Sequence, residues 1–112
     1  MYIASRKLEE LERVATMLND SAPASGPFGR EACIPVRADI QNKAGCDALA
    51  AEIAKREKSL DILVNNSGLT WGAALTEFPE QKGWDRVFDL NVKSQFYMTV
   101  ACVATYQTSS LA

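Results

Sequence analysis

The chain has 112 residues, of which 47% are hydrophobic and 23% are charged, and its formal net charge is -2. This length suits one domain, and the composition is that of a globular protein. A nearly neutral charge without any Lys/Arg run argues against nucleic acid and anionic membrane surfaces as partners. Because the sequence shows neither a signal peptide nor an apolar run that could span a bilayer, we expect a cytoplasmic protein with no membrane partner.

Cysteine and histidine usage limits the possible chemistry. Cys33, Cys46 and Cys102 are odd in number and include no CxxC pair, which predicts free, mostly buried thiols in a reducing compartment. The chain contains no histidine, which excludes Ser-His-Asp and Cys-His nucleophilic schemes within it and argues against a zinc site. Catalytic chemistry would have to use Asn, Ser, Tyr, Lys or carboxylate groups.

The first half of the chain predicts a strand, a helix and a second strand. Residues 2–4 are the first strand candidate, and Ser5 is a candidate N-cap for the helix that follows. Apolar residues then recur at helical spacing, at Leu8, Leu11, Ala15 and Leu18. A loop rich in Pro, Gly, Ser and Ala is predicted at residues 21–30, followed by a second strand at 32–37.

The second half repeats this alternation. A helix is predicted from Lys43 to Lys58, and a buried strand from Leu60 to Val64. A third helix begins near Pro79, a residue suited to a first helical turn, and continues toward Tyr106. Residues 105–112 lack periodicity and are predicted to be a disordered tail.

This order of elements predicts the fold class. Strands that alternate with helices imply parallel strands joined by helical crossovers. We therefore expect an α/β fold with a partial Rossmann-like, doubly wound parallel sheet in the order β-α-β-α-β-α.

Three polar clusters follow predicted strands. The apolar run from Leu60 ends abruptly in Asn65, Asn66, Ser67 and Gly68, at the carboxyl end of a strand, where open α/β sheets bind ligands. An ordinary turn is the alternative interpretation of these four residues.

Ser5 and Arg6 follow the first strand, where an acid would bind the ribose 2′-hydroxyl of NAD. A hydroxyl and a guanidinium at this point suit a 2′-phosphate instead. Solvated basic side chains at a helix start are the alternative. Asp39, after the second strand, could accept a hydrogen bond from an adenine amino group or could serve only as a helix-cap or turn residue.

Asn91 lies within an apolar helical face, where asparagine lowers helix stability. Its presence indicates either a functional role or a local hydrogen-bond partner that satisfies a structural amide. These two interpretations remain open at the level of sequence.

Together these residues resemble the short-chain dehydrogenase/reductase family. Residues 4–6 resemble the family's NADP-selecting strand end, and Asp39-Ile40 resembles its adenine-contacting pair. Residues 65–68 match its Asn-Asn-Ala-Gly motif with Ser in place of Ala, and Asn91 matches the helix asparagine of its Asn-Ser-Tyr-Lys tetrad. The run 67–75 resembles the branch of NADP-dependent 3-oxoacyl reductases linked to rhamnolipid synthesis.

The resemblance implies an NADP-dependent oxidoreductase acting on a small carbonyl or acyl substrate, with homo-oligomers formed through the third helix. In the family, a tyrosine activated by a lysine protonates the substrate carbonyl, NADPH supplies hydride, and the helix asparagine holds a water of the proton relay. Asn91 is thus the implied catalytic residue. The implied cofactor-binding residues are Ser5, Arg6, Asp39, Ile40, Asn65, Asn66, Ser67 and Gly68.

The chain departs from the family pattern in its extent. Residues 1–112 resemble the central segment of an NAD(P)-binding Rossmann domain, with the first strand and the C-terminal half missing. The family's glycine-rich turn would precede Met1, and its Tyr-x-x-x-Lys pair would follow Ala112. Without these parts, we expect the fragment to be inactive. Because the strands lose their neighbours, we also expect marginal stability or a rearranged contact between the strands at Tyr2 and Leu60. The alternatives are a non-catalytic nucleotide-binding half-site and a truncated product with no independent function.

Overall fold

A computed structural model describes residues 1–22 and 33–110 of the chain. It divides into two compact units, Met1–Asp39 and Ile40–Ala112. The predicted loop at 21–30 falls largely outside the described residues, as do the last two residues of the predicted tail.

The first unit contains a two-stranded parallel sheet of β1 (Tyr2–Ser5) and β2 (Ile34–Arg37). Its register pairs Tyr2 with Ile34 and Ser5 with Arg37. Beyond the last pair, the Ala38 N–H donates to the Ser5 carbonyl over 2.9 Å, which prolongs the ladder. The parallel pairing confirms the first two predicted strands, although the second begins later than the sequence indicated.

Helix α1 (Leu8–Ser21) packs against both strands and buries Leu11 and Ala15. The side-chain amide of Asn19 joins the end of this helix to the approach to β2. Its nitrogen donates to the Cys33 carbonyl over 3.0 Å, and its oxygen accepts from the Cys33 N–H over 2.8 Å. One side chain thereby pairs both backbone polar groups of a buried residue.

The predicted N-cap of α1 is wrong by two residues. The N-cap is Lys7, which provides no side-chain cap, whereas Ser5 is the last residue of β1. The Ser5 Oγ instead accepts from the Lys7 N–H over 3.2 Å. Pairing with β2 holds Ser5 in the strand, so its hydroxyl can reach only the turn before the helix.

Helix α2 (Lys43–Ala54) opens the second unit as predicted and ends four residues before the predicted Lys58. Its N-cap is Asn42, whose side-chain oxygen accepts from the Gly45 N–H over 2.8 Å. This cap satisfies one of the unpaired donors that begin every helix.

The predicted third strand is wrong. Residues 60–64 form no strand, and no strand within the described residues pairs with them. Ile62 and Val64 are each 77% exposed rather than buried. An apolar segment becomes a strand only where a neighbour completes its hydrogen-bond ladder, and propensity alone cannot replace that neighbour.

A helical segment occupies residues 80–110 and is longer than predicted. It begins with a π-helical turn (Glu80–Asp85) and continues through α3 (Arg86–Phe88), a second π-helical turn (Asp89–Lys93) and α4 (Ser94–Ser110). Pro79 precedes the segment, and its carbonyl accepts from the N–H groups of Gly83 and Trp84 over 3.1 and 3.2 Å. Backbone helicity through Ser110 extends into the range predicted to be a tail.

The core of the second unit lies between α2 and α4. Small side chains allow the two helices to approach closely, and the half-buried Ile40, Leu49, Leu60 and Tyr97 pack around them. The buried members are Cys46, Ala50, Met98, Ala101 and Cys102. All three cysteines are free and buried, as the sequence predicted.

Candidate functional site

Ser5 and Arg6 lie where the polypeptide leaves β1. Both are exposed, and the carbonyls of both residues are engaged, since Ser5 O accepts from Ala38 N and Arg6 O accepts from Arg37 Nε over 3.2 Å. The backbone of this turn is therefore fixed while its hydroxyl and guanidinium face solvent. Exposed donors on a fixed backbone are what recognition of an anion requires.

Charge at this end of the sheet is predominantly positive. Within the described part of the first unit, the ion pair joins Arg13 to Glu10, whereas Arg6 and Lys7 form none. The Arg13 guanidinium holds the pKa of the Glu10 carboxyl below its ordinary value, through a side-chain hydrogen bond and charge attraction. Lys7 contributes a smaller charge attraction to the same lowered pKa of Glu10, whereas Arg6 forms no ion pair within the described residues and is available to a ligand.

Asp39 and Ile40 lie at the boundary of the two units. The Asp39 carboxylate is exposed at the end of the first unit. Ile40 is half-buried and packs against the core of the second unit, and its carbonyl accepts a weak bond from the Cys46 thiol over 3.6 Å. The isoleucine side chain therefore contributes to packing in the second unit.

The motif residues 65–68 lie in an irregular segment rather than at the end of a strand. Asn65 and Asn66 are exposed and Ser67 is half-buried. The Asn65 side-chain nitrogen donates to the Thr99 hydroxyl over 3.0 Å, which ties the motif to α4. The Thr99 hydroxyl in turn donates to the Gln95 carbonyl one helical turn earlier.

Asn91 holds the residue that follows this motif. Its side-chain oxygen accepts from the Leu69 N–H, and its side-chain nitrogen donates to the Leu69 carbonyl, both over 2.8 Å. A Cβ atom on Gly68 would lie 3.1 Å from the same asparagine oxygen, so this glycine allows the close approach. The structure therefore brings Asn91 together with the end of the predicted motif.

Sequence reasoning missed three of the partners at these positions. Thr99, Arg37 and the Leu69 backbone each bond to a predicted site residue from a distant point in the sequence. Only the Leu69 partner had a signal in the sequence. Asparagine in a helix interior lowers helix stability, so Asn91 implied a hydrogen-bond partner, although the sequence did not identify it. The structure describes Ser5, Arg6 and Asp39 in the first unit, and Ile40, residues 65–68 and Asn91 in the second.

Residues 1–22 and 33–110 contain no group of three or more His, Cys, Asp or Glu side chains that could hold a metal ion. Over the same residues, no helix combines the length and the apolar character needed to cross a bilayer.

Comparison with known proteins identifies the class. The family model described as short chain dehydrogenase matches residues 1–110, and the chain belongs to this family. Its fold is similar to that of oxidoreductases with an NADP-binding Rossmann domain, over about a third of their length.

Individual relatives make the similarity more specific. The rhamnolipids biosynthesis 3-oxoacyl-[acyl-carrier-protein] reductase of Pseudomonas aeruginosa is 42% identical over 96 residues, which is 86% of this chain and 34% of that protein. A 3beta-hydroxysteroid dehydrogenase of Mediterraneibacter gnavus is 36% identical over 95 residues, or 85% of this chain and 32% of the relative. The chain thus spans about a third of the length of these curated relatives.

Solved structures agree in fold. The Pseudomonas aeruginosa RhlG/NADP active-site complex superposes with a TM-score of 0.80 and 33% identity, covering 96% of this chain and 38% of that one. A metagenomic short-chain oxidoreductase solved with NADP gives a TM-score of 0.77 at 22% identity, covering 93% of this chain and 43% of that one, and it shows the fold alone.

Proposed function

We propose that this chain is a segment of an NADP-dependent carbonyl reductase, and that its first unit binds the adenosine 2′-phosphate end of the cofactor. The observation that carries this proposal is the exposed Ser5-Arg6 pair at the end of β1, with engaged backbone carbonyls and with no ion pair at Arg6 in the described part of the chain. A hydroxyl and a guanidinium bind a phosphate dianion, whereas an acid at this position would favour the unphosphorylated ribose.

Other residues are proposed to act within each unit. The exposed carboxylate of Asp39 would accept from the adenine amino group, and Ile40 would flank the base. In the second unit, residues 65–68 would supply polar contacts and a close backbone approach to the cofactor. The similarity to the Pseudomonas aeruginosa RhlG/NADP active-site complex supports these assignments.

Asn91 is proposed to position the reaction centre. Its two bonds to Leu69 use one amide N–H and one oxygen lone pair, which leaves one donor and one acceptor site. The remaining sites could hold the water of a proton relay while the first two fix the segment after Gly68. Bound NADPH would supply the hydride.

The sequence contains no tyrosine with a lysine four positions later, since Arg6, Ala101 and Ser110 follow Tyr2, Tyr97 and Tyr106 at that spacing. The general acid of the family reaction and its activator are therefore not available within these 112 residues. We propose that the chain alone binds NADP without reducing a substrate. A 3-oxoacyl thioester is the proposed substrate class of the whole reductase, because the 42% identical relative is a 3-oxoacyl reductase.

The test is a pair of measurements on the 112-residue chain. Titration with NADP⁺ and NAD⁺ should show preferential binding of the phosphorylated dinucleotide, and mixing with NADPH and a 3-oxoacyl thioester should show no oxidation of NADPH. Clear turnover would contradict the proposed inactivity. The absence of any dinucleotide binding would favour a truncated product with no independent function.

We also propose that the chain pairs with a second copy of itself through the helical segment 80–110. One face of this segment exposes a line of large apolar side chains at spacings of three or four residues. They are Trp84, Phe88, Val92, Phe96, Val100 and Val103. Phe96 is 64% exposed and Trp84 is 57% exposed. A continuous apolar face of this kind is stabilised by burial against a matching face.

The two-stranded sheet is proposed to be part of a larger doubly wound sheet in the complete protein. Residues 60–64, with which no strand of the described residues pairs, would find neighbouring strands in that larger sheet. The similarity in fold to longer family members supports this arrangement.

A further inference from the structure

A second arginine lies beside the proposed 2′-phosphate site. Arg37 is the last residue of β2 and pairs with Ser5 in the parallel register, so the two side chains project from the same face of the sheet. Its Nε donates to the Arg6 carbonyl over 3.2 Å. The bond fixes the base of the Arg37 guanidinium against the backbone that carries Arg6.

The remaining donors of Arg37 are not committed to a carboxylate. A guanidinium offers five N–H donors, and the bond to Arg6 uses the one on Nε. Within residues 1–22 and 33–110, no ion pair involves Arg37, although the side chain is exposed. Its two terminal nitrogens are therefore available to a ligand at the surface.

Basic side chains follow both paired strands at this end of the sheet. Arg6 and Lys7 directly follow β1 and Arg37 ends β2, while the Asp39 carboxylate comes two residues later. Within the described residues neither Arg6 nor Arg37 forms an ion pair, so both guanidinium groups are available to an anion. The planar donor fork of arginine matches the oxygens of a phosphate monoester.

We propose that Arg37 is a specificity-determining residue that, with Arg6, selects the 2′-phosphorylated form of the adenine dinucleotide. This inference rests on the proposed function of the first unit. It assigns to Arg37 a role that neither the strand-end pattern nor the spacing of the family motifs indicated.

A purely structural role for Arg37 makes a different prediction. If the side chain only held the Arg6 carbonyl, its loss would weaken NAD⁺ and NADP⁺ binding to the same extent. If it contacts the 2′-phosphate, its loss weakens only the ligands that carry this group. The ratio of the two affinities therefore separates the roles.

The experiment is an NMR titration of the full 112-residue chain with NADP⁺, NAD⁺, 2′-AMP and 5′-AMP. Arg37→Gln should lower the affinity for NADP⁺ and 2′-AMP by roughly tenfold, which corresponds to the loss of one charge-assisted hydrogen bond. The affinity for NAD⁺ and 5′-AMP should stay within about twofold of the wild-type value. Arg37→Lys keeps the charge without the planar donor fork, so its affinity for NADP⁺ and 2′-AMP should lie between those of the wild type and of Arg37→Gln. Arg56→Gln is the matched control, because it removes the same charge from an exposed arginine of the second unit whose partner Glu52 keeps its ion pair with Lys55, and it should leave the binding of all four ligands unchanged.

Each remaining outcome contradicts a specific statement. Equal weakening of NADP⁺ and NAD⁺ by Arg37→Gln, or an unchanged preference for NADP⁺, overturns the role of Arg37 and leaves the proposed function intact. A wild-type chain that shows no preference for the 2′-phosphorylated ligands contradicts the Ser5-Arg6 assignment itself, and the role of Arg37 falls with it.

Discussion

Two asparagine side chains form the pair of backbone hydrogen bonds that a neighbouring strand would otherwise provide. Asn19 pairs with both polar groups of the Cys33 backbone, and Asn91 pairs with both polar groups of Leu69. A primary amide has the same donor and acceptor as a peptide group, so one side chain can satisfy a segment that lacks regular structure. At Asn91, these bonds offset the low helix propensity of asparagine.

Replacement of Asn91 should therefore destabilise the second unit. We expect Asn91→Ala to lower the free energy of unfolding by about 1–3 kcal/mol, because the partly buried Leu69 N–H and carbonyl lose their partners. Urea unfolding followed by tryptophan fluorescence measures the change. Asn66→Ala is the control, since Asn66 is exposed and a surface substitution costs less than about 0.5 kcal/mol. Equal effects of the two substitutions would contradict the assignment.

At the scale of elements, α2 and α4 meet through small side chains and two thiols. Burial raises the pKa of both Cys46 and Cys102 above the ordinary value of 9.0. Above pH 9, the unfolded chain releases these protons while the folded chain retains them. The unfolded state then binds fewer protons, so the free energy of unfolding falls as pH rises.

This linkage predicts a loss of stability confined to alkaline solution. The free energy of unfolding, measured with urea, should change little between pH 7 and 8.5 on account of these thiols. It should decline above about pH 9, by at most ~1.4 kcal/mol per pH unit for each thiol. The double variant with Cys46→Ala and Cys102→Ala should show a flatter decline. An identical pH profile for variant and wild type would show that the thiols do not cause it.

The start of the helical segment 80–110 depends on an aromatic contact over a glycine. Phe78 packs edge-on against Trp84, with ring centroids 5.6 Å apart, and Trp84 stacks on Phe88 at the same separation. A Cβ atom on Gly83 would lie 2.5 Å from the Phe78 ring. Only glycine allows the ring to lie this close to the helix backbone.

Gly83→Ala should consequently destabilise the chain, although alanine is the better helix former by about 1 kcal/mol. Displacement of the Phe78 ring outweighs that gain, and we expect a net loss of about 1–2 kcal/mol, measured by urea unfolding. Gly72→Ala is the control, because a Cβ atom there meets nothing within 4 Å. A stabilised Gly83→Ala variant would contradict the contact.

At the scale of the whole molecule, a large share of the apolar side chains is exposed. The line of side chains along 80–110 and the side chains of Ile62, Leu63 and Val64 are exposed within the described part of the chain. An exposed apolar face favours association, and an isolated strand pair contributes little stability. The marginal stability expected from the sequence remains a prediction, which a cooperative urea transition of ordinary size would contradict.

Self-association should depend on the apolar face of 80–110. In analytical ultracentrifugation, the wild-type chain should form dimers with rising concentration, and Phe96→Glu should shift the equilibrium to monomer, because a carboxylate cannot be buried unpaired. Gln95→Glu adds the same charge at the neighbouring exposed position, outside the apolar line, and should leave the dimer intact. A monomeric wild type, or equal effects of both substitutions, would contradict pairing through this face.

Local signals explain which predictions succeeded. The helices α1 and α2 and the strands β1 and β2 depend on periodicity and flanking residues, and the sequence located them within a few residues. The strand predicted at 60–64 depended on a neighbour that no local pattern provides. The sequence could not predict the hydrogen-bond partners of the candidate site residues either, since Leu69 lies 22 residues from Asn91 and Thr99 lies 34 residues from Asn65.

The sequence by itself determined the family, the free buried thiols and the identity of the exposed groups at the end of β1. These follow from residue type and spacing, which the chain carries without reference to its fold. Only the tertiary structure decided that Arg37 lies beside Ser5, that Asn91 holds Leu69, and that residues 60–64 form no strand. Pairings of this kind join residues far apart in the chain, and their geometry exists only after the backbone has closed the intervening loops.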